Sequence, residues 1–353
     1  MLSASCLRPK LLRYNQISMQ VGLQDAQAVA ISDEIRKEFQ ALSSDCAVFK
    51  LDRAHIRLTG ADRVRWLNGM VTNNIRDLAL DRGVYAFLLN PQGKIQADLY
   101  AFNRSEDIVV QTEAAQVETL LQIFDRYIIM DEVEVESLAG KFAVFGIAGP
   151  KSAEILAELA REMQTLQIAN QQWNGFEVTL IRGDNPCAPT YEVWVEAQEG
   201  QQLWNALLQR APKIHEETLE LFRVACGIPK FGIDIRQKDL PQETGQERAL
   251  NFDKGCYVGQ EIVERIRSRG AVHRMFTGFE VEGAIPSLGF RIQHEGKDVA
   301  ELTSVATLPT AEGVRTVALG YGRRELMAPG KEYVTGEMKV RVAALPFARI
   351  FSN

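Results

Sequence analysis

The pattern of predicted secondary structure changes at Gly270, and this change limits the folds that the chain can adopt. Before Gly270, strand-like runs alternate with segments whose apolar residues recur at helical spacing. After it, short strand-like runs separated by Gly, Pro and Glu-Gly turns follow, with only a short helical stretch around residues 324–327. The sequence therefore predicts an α+β region followed by a small β-barrel or sandwich of about 80 residues.

The region before Gly270 passes twice through similar structure. The first pass consists of three strands and a helix, at residues 83–89, 95–102, 108–112 and 115–127. The second pass has three strands and a helix, at residues 142–146, 178–182, 191–196 and 201–210. We expect two similar α/β halves, preceded by a helix within residues 26–43. Because no low-complexity linker interrupts the chain, we expect its parts to pack tightly.

These patterns predict three regions. An N-terminal extension with a helix occupies residues 1–44, the α+β domain occupies residues 45–270, and the C-terminal β-barrel domain occupies residues 271–353. Residues 1–24 carry basic residues but no acidic residue and lack the apolar region of a secretory signal, which predicts a cytoplasmic protein. The same composition fits a weak mitochondrial presequence, so a matrix location is the alternative.

Composition excludes several classes of function. The net charge of -6 argues against a protein that coats nucleic acid, and direct nucleic-acid binding is not expected. No apolar run approaches the ~18 residues of a membrane span. The five cysteines are far apart and form no Cys-x-x-Cys pair, which predicts free thiols in a reducing compartment and no resident metal.

Residues 254–270, called the signature segment here, carry the strongest functional pattern. Two glycines frame Cys256, and an amphipathic helix rich in arginine is predicted to begin near Gly259. Cys256 would then lie just before the helix N-terminus, where the helix dipole and the ammonium of Lys254 favour a thiolate. The alternative is a glycine-rich turn with an inert cysteine.

The signature segment resembles the motif of the YgfZ-type folate-binding proteins, which include mitochondrial iron–sulfur maturation factors. The matching positions are Lys254, Gly255, Cys256, Tyr257, Gly259, Gln260, Glu261, Arg265, Arg269 and Gly270. Similarity extends over roughly residues 45 to 345 and includes residues 59–62 and 88–93. The resemblance implies the fold of the aminomethyltransferase (glycine-cleavage T-protein) superfamily.

This resemblance implies tetrahydrofolate, or a folate derivative, as the cofactor. Glu192 stands where superfamily transferases bind the pterin, Arg223 where they place a substrate-binding arginine, and Tyr85 is included in the same expected site. From the residues alone, Glu192 reads as an exposed strand residue and Arg223 as a surface or salt-bridged helix residue. Asp98 is a candidate general base, and its alternative is a polar strand residue.

A departure from the transferase pattern shapes the expected function. The transferases carry paired aspartates where this chain has Ala97 and Asp98, so one carboxylate is missing. The leading hypothesis is therefore a tetrahydrofolate-binding accessory factor for iron–sulfur cluster assembly or repair. Its partners would be the assembly machinery or client enzymes, including tRNA-modifying ones, and Cys256 would be its reactive group. The alternatives are a folate-dependent one-carbon transferase and an RNA-binding module that uses the arginines.

Overall fold

Three β-sheets organise the protein in the computed structural model, which describes residues 31–270, 272–310 and 313–347. Residues 1–24, with their presequence interpretation, lie outside this part, as do the first residues of the helix predicted within 26–43. The described chain opens with α1 (Asp33–Ser44) and β1 (Ala47–Leu51). Ser32 starts α1 because its hydroxyl oxygen accepts a hydrogen bond from the Ile35 N–H at 3.2 Å, as a helix N-cap does.

The first half of the α+β region follows β1. Its elements are β2 (Arg53–Thr59), α2 (Arg63–Met70), β3 (Arg82–Leu89), β4 (Ile95–Asn103), β5 (Ile108–Glu113), α3 (Val117–Tyr127) and β6 (Glu134–Ser137). The strands form one sheet in the order β3-β4-β5-β2-β6. Along β4, Ala97 and Leu99 enter the core beneath α2 and α3, while Asp98 and Tyr100 face the opposite side.

The second half repeats this plan. Its elements are β7 (Phe142–Ala148), α4 (Ser152–Leu156), α5 (Glu158–Arg161), β8 (Ile168–Trp173), β9 (Phe176–Arg182), β10 (Thr190–Glu196) and α6 (Gly200–Leu208). The sheet order is β1-β7-β10-β9-β8, so the second half matches the first when β1 takes the place of β6. The expected pair of similar halves is confirmed.

After the second half, α7 (Glu216–Ala225) and α8 (Gln260–Arg269) lead into the C-terminal barrel. The barrel strands are β11 (Arg274–Glu282), β12 (Arg291–His294), β13 (Lys297–Thr310), β14 (Gly313–Arg323), β15 (Glu332–Thr335) and β16 (Met338–Ala343). They form one sheet in the order β12-β13-β14-β11-β16-β15. Hydrogen bonds between Gln293 and Thr335 bring the two edge strands together, so the sheet is nearly closed.

The parts pack closely, as the absence of a linker predicts. The described residues belong to one compact unit, and a single hydrophobic cluster joins Phe39 of α1, Phe222 of α7 and Leu319 of β14. None of the described helices is both long and apolar enough to cross a membrane. The stretch predicted as a helix around residues 324–327 is a single 3₁₀ turn, Arg324–Leu326.

Candidate functional site

The signature segment lies against the hairpin turn between β3 and β4. Gly259 caps α8 with φ +83°, and a Cβ placed on it would lie 2.6 Å from the Asn90 carbonyl oxygen. Gly93, in the turn itself, is equally close to Ile262 of α8, because a Cβ there would lie 2.8 Å from the Ile262 Cβ. Both glycines therefore permit a close backbone approach, and the predicted helix start near Gly259 is confirmed.

Lys254 is fully buried at the carboxyl end of α2. Its ammonium donates hydrogen bonds to the carbonyl oxygens of Asn68 and Val71, the latter at 2.7 Å. Burial, with a smaller effect of the nearby Arg76 charge, lowers the pKa of Lys254 to about 7. This group is therefore easily deprotonated and is directed to the end of α2, and its expected effect on the Cys256 thiol stays a prediction.

Cys256 and Tyr257 have opposite environments. Cys256 is exposed, whereas Tyr257 is buried beside Tyr85 and Val263 and packs 4.7 Å from the Lys254 ammonium. Burial raises the pKa of the Tyr257 phenol to about 12. The segment thus combines an anchored base with an accessible thiol.

The remaining signature positions lie mostly on the surface. Gln260 accepts a hydrogen bond from the Tyr257 N–H at 3.2 Å and so closes the turn that contains Tyr257. Gly255 has φ +93°, and Gly255, Glu261, Arg265 and Gly270 are exposed. The side chain of Arg269 lies outside the described part of the chain.

Asp98 lies in a polar cluster on the face of β4 that points away from the α2 and α3 core. Its carboxylate accepts hydrogen bonds from the Tyr85 hydroxyl at 2.7 Å and from the Gln116 amide at 2.8 Å. Burial, followed by the Asp98 charge, raises the pKa of Tyr85 well above its ordinary value. Tyr85 is therefore a neutral donor at physiological pH, and Asp98 is held as an acceptor.

Arg248 covers this cluster, and nothing in the amino-acid sequence indicated its role. Its guanidinium lies 4.4 Å from the centre of the Tyr85 ring and pairs with the carboxylate of Asp184. Asp184 also accepts a hydrogen bond from the Tyr100 hydroxyl at 3.0 Å. Arg248 comes from an irregular segment, where no periodicity marks a residue as facing the site.

Glu192 reaches the same region from the second half. Its carboxylate accepts hydrogen bonds from Gln111 of β5 and, at 3.4 Å, from the indole of Trp194. The Arg53 Nε lies 3.6 Å from its other oxygen. Burial alone would lower the pKa of Arg53, but the carboxylates of Glu192 and Glu113 raise it above the ordinary value, so this arginine stays charged.

His55 of β2 pairs with Gln111 of β5, the residue that donates to Glu192. Its ring packs 4.0 Å from the centre of Trp194, and its buried Nε2 has no hydrogen-bond partner. Burial, with the charges of Arg53 and Arg104, lowers its pKa to about 3, so the ring is neutral. Nothing in the sequence distinguished His55 from a core residue.

The junction between the halves therefore gathers three residues that the sequence analysis singled out. Tyr85, Asp98 and Glu192 are linked through neighbouring strands, because Tyr100 of β4 pairs with Gln111 of β5. The carboxylates can accept hydrogen bonds from the N–H groups of a flat heterocycle, and the aromatic rings can form its walls.

Arg223 lies elsewhere. It is mostly buried on α7, where its guanidinium binds Glu220 at 2.6 Å, Asp234 at 2.7 Å and the Ser304 hydroxyl at 2.8 Å. Among the described residues, no recorded contact joins it to Tyr85, Asp98 or Glu192. Its position as a salt-bridged helix residue is thus observed, and a role in binding stays a prediction.

One group of described residues has ligand atoms close enough to hold a metal ion, namely Glu34, Glu38 and His215. Its buried member, Glu38, already accepts hydrogen bonds from the backbone and ring of His215 and from Thr218. These contacts tie α1 to the N-cap residue and the first turn of α7, which gives the group a structural explanation.

Comparison with known proteins identifies the family. Residues 12–254 match the model of the GCVT N-terminal domain, and the chain belongs to this family. It is 28% identical over 225 residues to a protein named tRNA-modifying protein YgfZ from Yersinia enterocolitica, covering 63% of this chain and 67% of that one. With this similarity and the complete motif in the signature segment, the chain is a YgfZ-type member of the superfamily.

Two further relatives bear the transferase name. An aminomethyltransferase from Rippkaea orientalis is 27% identical over 333 residues, covering 87% of this chain and 86% of its own. The crystal structure of glycine cleavage system aminomethyltransferase T from Bartonella henselae superposes with a TM-score of 0.79 at 18% identity, covering 90% of both chains. The latter similarity confirms the predicted fold class.

Proposed function

We propose that the protein binds tetrahydrofolate at the junction of its two α/β halves and acts as an accessory factor for iron–sulfur cluster assembly or repair. The observation that carries the binding proposal is the chain of contacts that links Asp98 and Glu192, one from each half: Asp98 accepts from Tyr85, Tyr85 packs on Tyr100, Tyr100 pairs with Gln111, and Gln111 donates to Glu192. Arg248 covers Tyr85 at one end of this chain. A pterin presents amino and ring N–H groups that carboxylates recognise, and Arg248 supplies a cation for an anionic tail.

Accessory function is favoured over group transfer by the environment of Ala97. This residue is fully buried in the apolar core beneath α2 and α3, on the other side of β4 from Asp98. An aspartate there would place an unpaired carboxylate in hydrocarbon. Asp98 is therefore alone, and both of its oxygens already accept hydrogen bonds.

The exposed thiol of Cys256 supports a role with a partner protein. A glycine-framed loop, in which the neighbouring Lys254 and Tyr257 are buried, leaves this cysteine exposed to solvent. Such a thiol can contact iron or sulfur in a client enzyme. The relative named tRNA-modifying protein YgfZ favours clients that modify tRNA.

Equilibrium titration with tetrahydrofolate under anaerobic conditions tests the binding proposal. We expect saturable binding that weakens about tenfold or more in Glu192→Gln and Asp98→Asn, because each change removes one charged acceptor. Glu196→Gln, an exposed carboxylate on the same strand as Glu192, is the matched control and should bind normally. Absence of saturation at millimolar tetrahydrofolate would contradict the proposal.

The iron–sulfur role is tested in a deletion strain complemented with the wild type or with Cys256→Ala. We expect Cys256→Ala to leave iron–sulfur enzyme activities and modified tRNA nucleosides low, while Cys46→Ala, a buried thiol in the second half, restores both. Full restoration of both by Cys256→Ala would show that this thiol is not needed for the proposed iron–sulfur role.

A transferase remains the second candidate, because the aminomethyltransferase from Rippkaea orientalis matches most of the chain. Production of methylenetetrahydrofolate from a methylated amine or an aminomethyl donor, lost in Asp98→Asn, would favour it. Salt-dependent tRNA binding that is lost when Arg267 and Arg269 are replaced would instead favour the RNA-binding alternative.

A further inference from the structure

Two cysteines that the proposed function does not use lie together beside the candidate site. Cys226, at the C-cap of α7, is 1% exposed and belongs to the hydrophobic cluster between α7 and the barrel. Cys187 packs against the same cluster from the loop between β9 and β10. The Cys226 thiol interacts with the side chains of both Cys187 and Asn185.

The loop holds Cys187 in a defined position. The Asn185 side-chain oxygen accepts hydrogen bonds from the backbone N–H groups of Cys187 at 2.8 Å and Ala188 at 3.3 Å. This compact turn places the half-buried Cys187 in the wall of a surface groove of about 290 Å³ that residues 182–189 line together with Thr165. One cysteine of the pair therefore lines a space that a small molecule can enter, and the other is buried in the adjoining hydrophobic cluster.

The same loop contributes to the candidate site. Asp184 lies three residues before Cys187 and also lines the groove. Its carboxylate accepts a hydrogen bond from the Tyr100 hydroxyl and forms an ion pair with Arg248, which covers Tyr85. A covalent bond between Cys187 and Cys226 would fix the loop to α7. Because Asp184 is so near in the chain, this bond would alter the contact that holds Arg248 over the site.

We propose that Cys187 and Cys226 form a dithiol site that reacts with low-molecular-weight disulfides entering the groove, and that the resulting internal disulfide lowers the affinity of the neighbouring site for tetrahydrofolate. The chemical step stands on the thiol pair and its groove, and the effect on affinity rests on the proposed function.

The reaction proceeds in two exchanges. The thiolate of Cys187 attacks one sulfur of a disulfide RSSR, forms Cys187–S–S–R and releases RS⁻, which takes up the proton that Cys187 lost. The Cys226 sulfur then attacks the Cys187 sulfur, its proton leaves with the second RS⁻, and the Cys187–Cys226 disulfide forms. Two protein thiols are oxidised by two electrons, and RSSR is reduced to two molecules of RSH.

The order of these exchanges follows from the surroundings of the two thiols. Burial, and then the neighbouring Cys187 thiol, raise the pKa of Cys226 strongly, so Cys226 does not start the reaction. Cys187 is the half-buried member that the groove exposes. Cys226 acts second, on a sulfur already placed beside it.

The test treats the full-length protein with oxidised glutathione and follows each cysteine by differential alkylation and peptide mapping. We expect the wild type to gain a Cys187–Cys226 disulfide, and Cys226→Ser to keep glutathione on Cys187. We expect Cys187→Ser to keep Cys226 reduced, and Cys46→Ser, which changes a buried thiol outside the pair, to behave as the wild type. Cys226→Ala serves as a second variant, and circular dichroism verifies that each variant is folded.

An unmodified Cys187 after Cys256 has reacted completely would overturn the proposal, as would a Cys187–glutathione adduct that never closes in the wild type. The affinity for tetrahydrofolate is then compared before and after oxidation, and we expect a several-fold loss that dithiothreitol reverses. If the disulfide forms and the affinity for tetrahydrofolate does not change, the proposed effect on folate binding is wrong. Because disulfide mapping needs no folate, failure of the folate proposal is distinguished from failure of the dithiol.

Discussion

At the scale of single residues, Lys254 is a buried base whose charge changes near neutral pH. Its pKa falls from 10.5 to about 7 on folding, mainly through burial. Between these values the unfolded chain binds a proton that the folded protein does not bind, so the contribution of Lys254 to stability increases with pH above about 7. Below that pH both states are protonated, and the folded protein bears the full cost of a buried ammonium.

We predict that the unfolding free energy of the wild type, relative to Lys254→Met, increases as the pH rises from about 6 to about 9, by at most about 1.4 kcal/mol per pH unit. Urea unfolding at several pH values measures this difference. Lys297→Met, which changes an exposed lysine of the barrel, provides the control. A difference that does not vary with pH would mean that Lys254 keeps the same protonation in both states.

Cys256 is the most exposed thiol in the described part of the chain, since Cys46 and Cys226 are buried and Cys187 is half-buried. We predict that limiting iodoacetamide at neutral pH alkylates Cys256 before the other cysteines. Mass-spectrometric peptide mapping over time gives the order in which the cysteines are alkylated. The urea-unfolded protein is the control, because there the fold no longer affects that order. Earlier alkylation of Cys187, or of Cys6 in the N-terminal extension, would refute the prediction.

At the scale of elements, Gly255 and Gly259 are glycines for different structural reasons. Both have positive φ, but only at Gly259 would a Cβ meet backbone, the Asn90 carbonyl at 2.6 Å, while nothing lies within 4 Å at Gly255. Gly255→Ala therefore adds only backbone strain, of about 1–2 kcal/mol. Gly259→Ala also forces the signature segment away from the β3–β4 turn, so we predict a loss of roughly 3–5 kcal/mol in urea unfolding. Equal losses would contradict a close contact at Gly259.

The elements that the sequence predicted are those with a strong local pattern. The strand at residues 95–102 alternates apolar and polar residues and became β4, and the glycines of the signature segment marked the start of α8. The short strands β8, β12 and β15 were missed because each buries only one or two residues. Their place in a sheet is decided by neighbouring strands rather than by their own pattern.

The site was predictable to the same extent. The resemblance to the superfamily pointed to Glu192, Asp98 and Tyr85, and the fold places all three in the candidate site. The sequence could not indicate Arg248, because its position over Tyr85 depends on an irregular segment and on a partner, Asp184, far away in the chain. Nor could it show that Lys254 is buried against α2, since that contact joins residues more than 180 positions apart.

At the scale of the whole molecule, buried and partly buried ion pairs join the α+β region to the barrel. Arg223 of α7 and the fully buried Asp234 form an ion pair, and both bind the Ser304 hydroxyl of β13. Arg236 bonds Glu301 of β13 at 2.6 Å, and Arg274 of β11 bonds Asp239 at 2.5 Å. Asp234 is fully buried and Arg223 is mostly buried, so removal of either partner of this pair leaves a charge in the interior without compensation.

We predict that Asp234→Asn and Arg223→Met each lower the unfolding free energy by about 3–5 kcal/mol, and that the double variant loses much less than the sum. Urea unfolding of the four proteins measures the coupling. Arg291→Met, which breaks an exposed pair with Asp298 on the barrel, is the control and should change little. Additive losses would mean that the two groups act independently.

Tetrahydrofolate titration of Arg223→Met, below its unfolding temperature, tests the binding role implied by the family resemblance. An affinity equal to that of the wild type would leave Arg223 with the structural role alone.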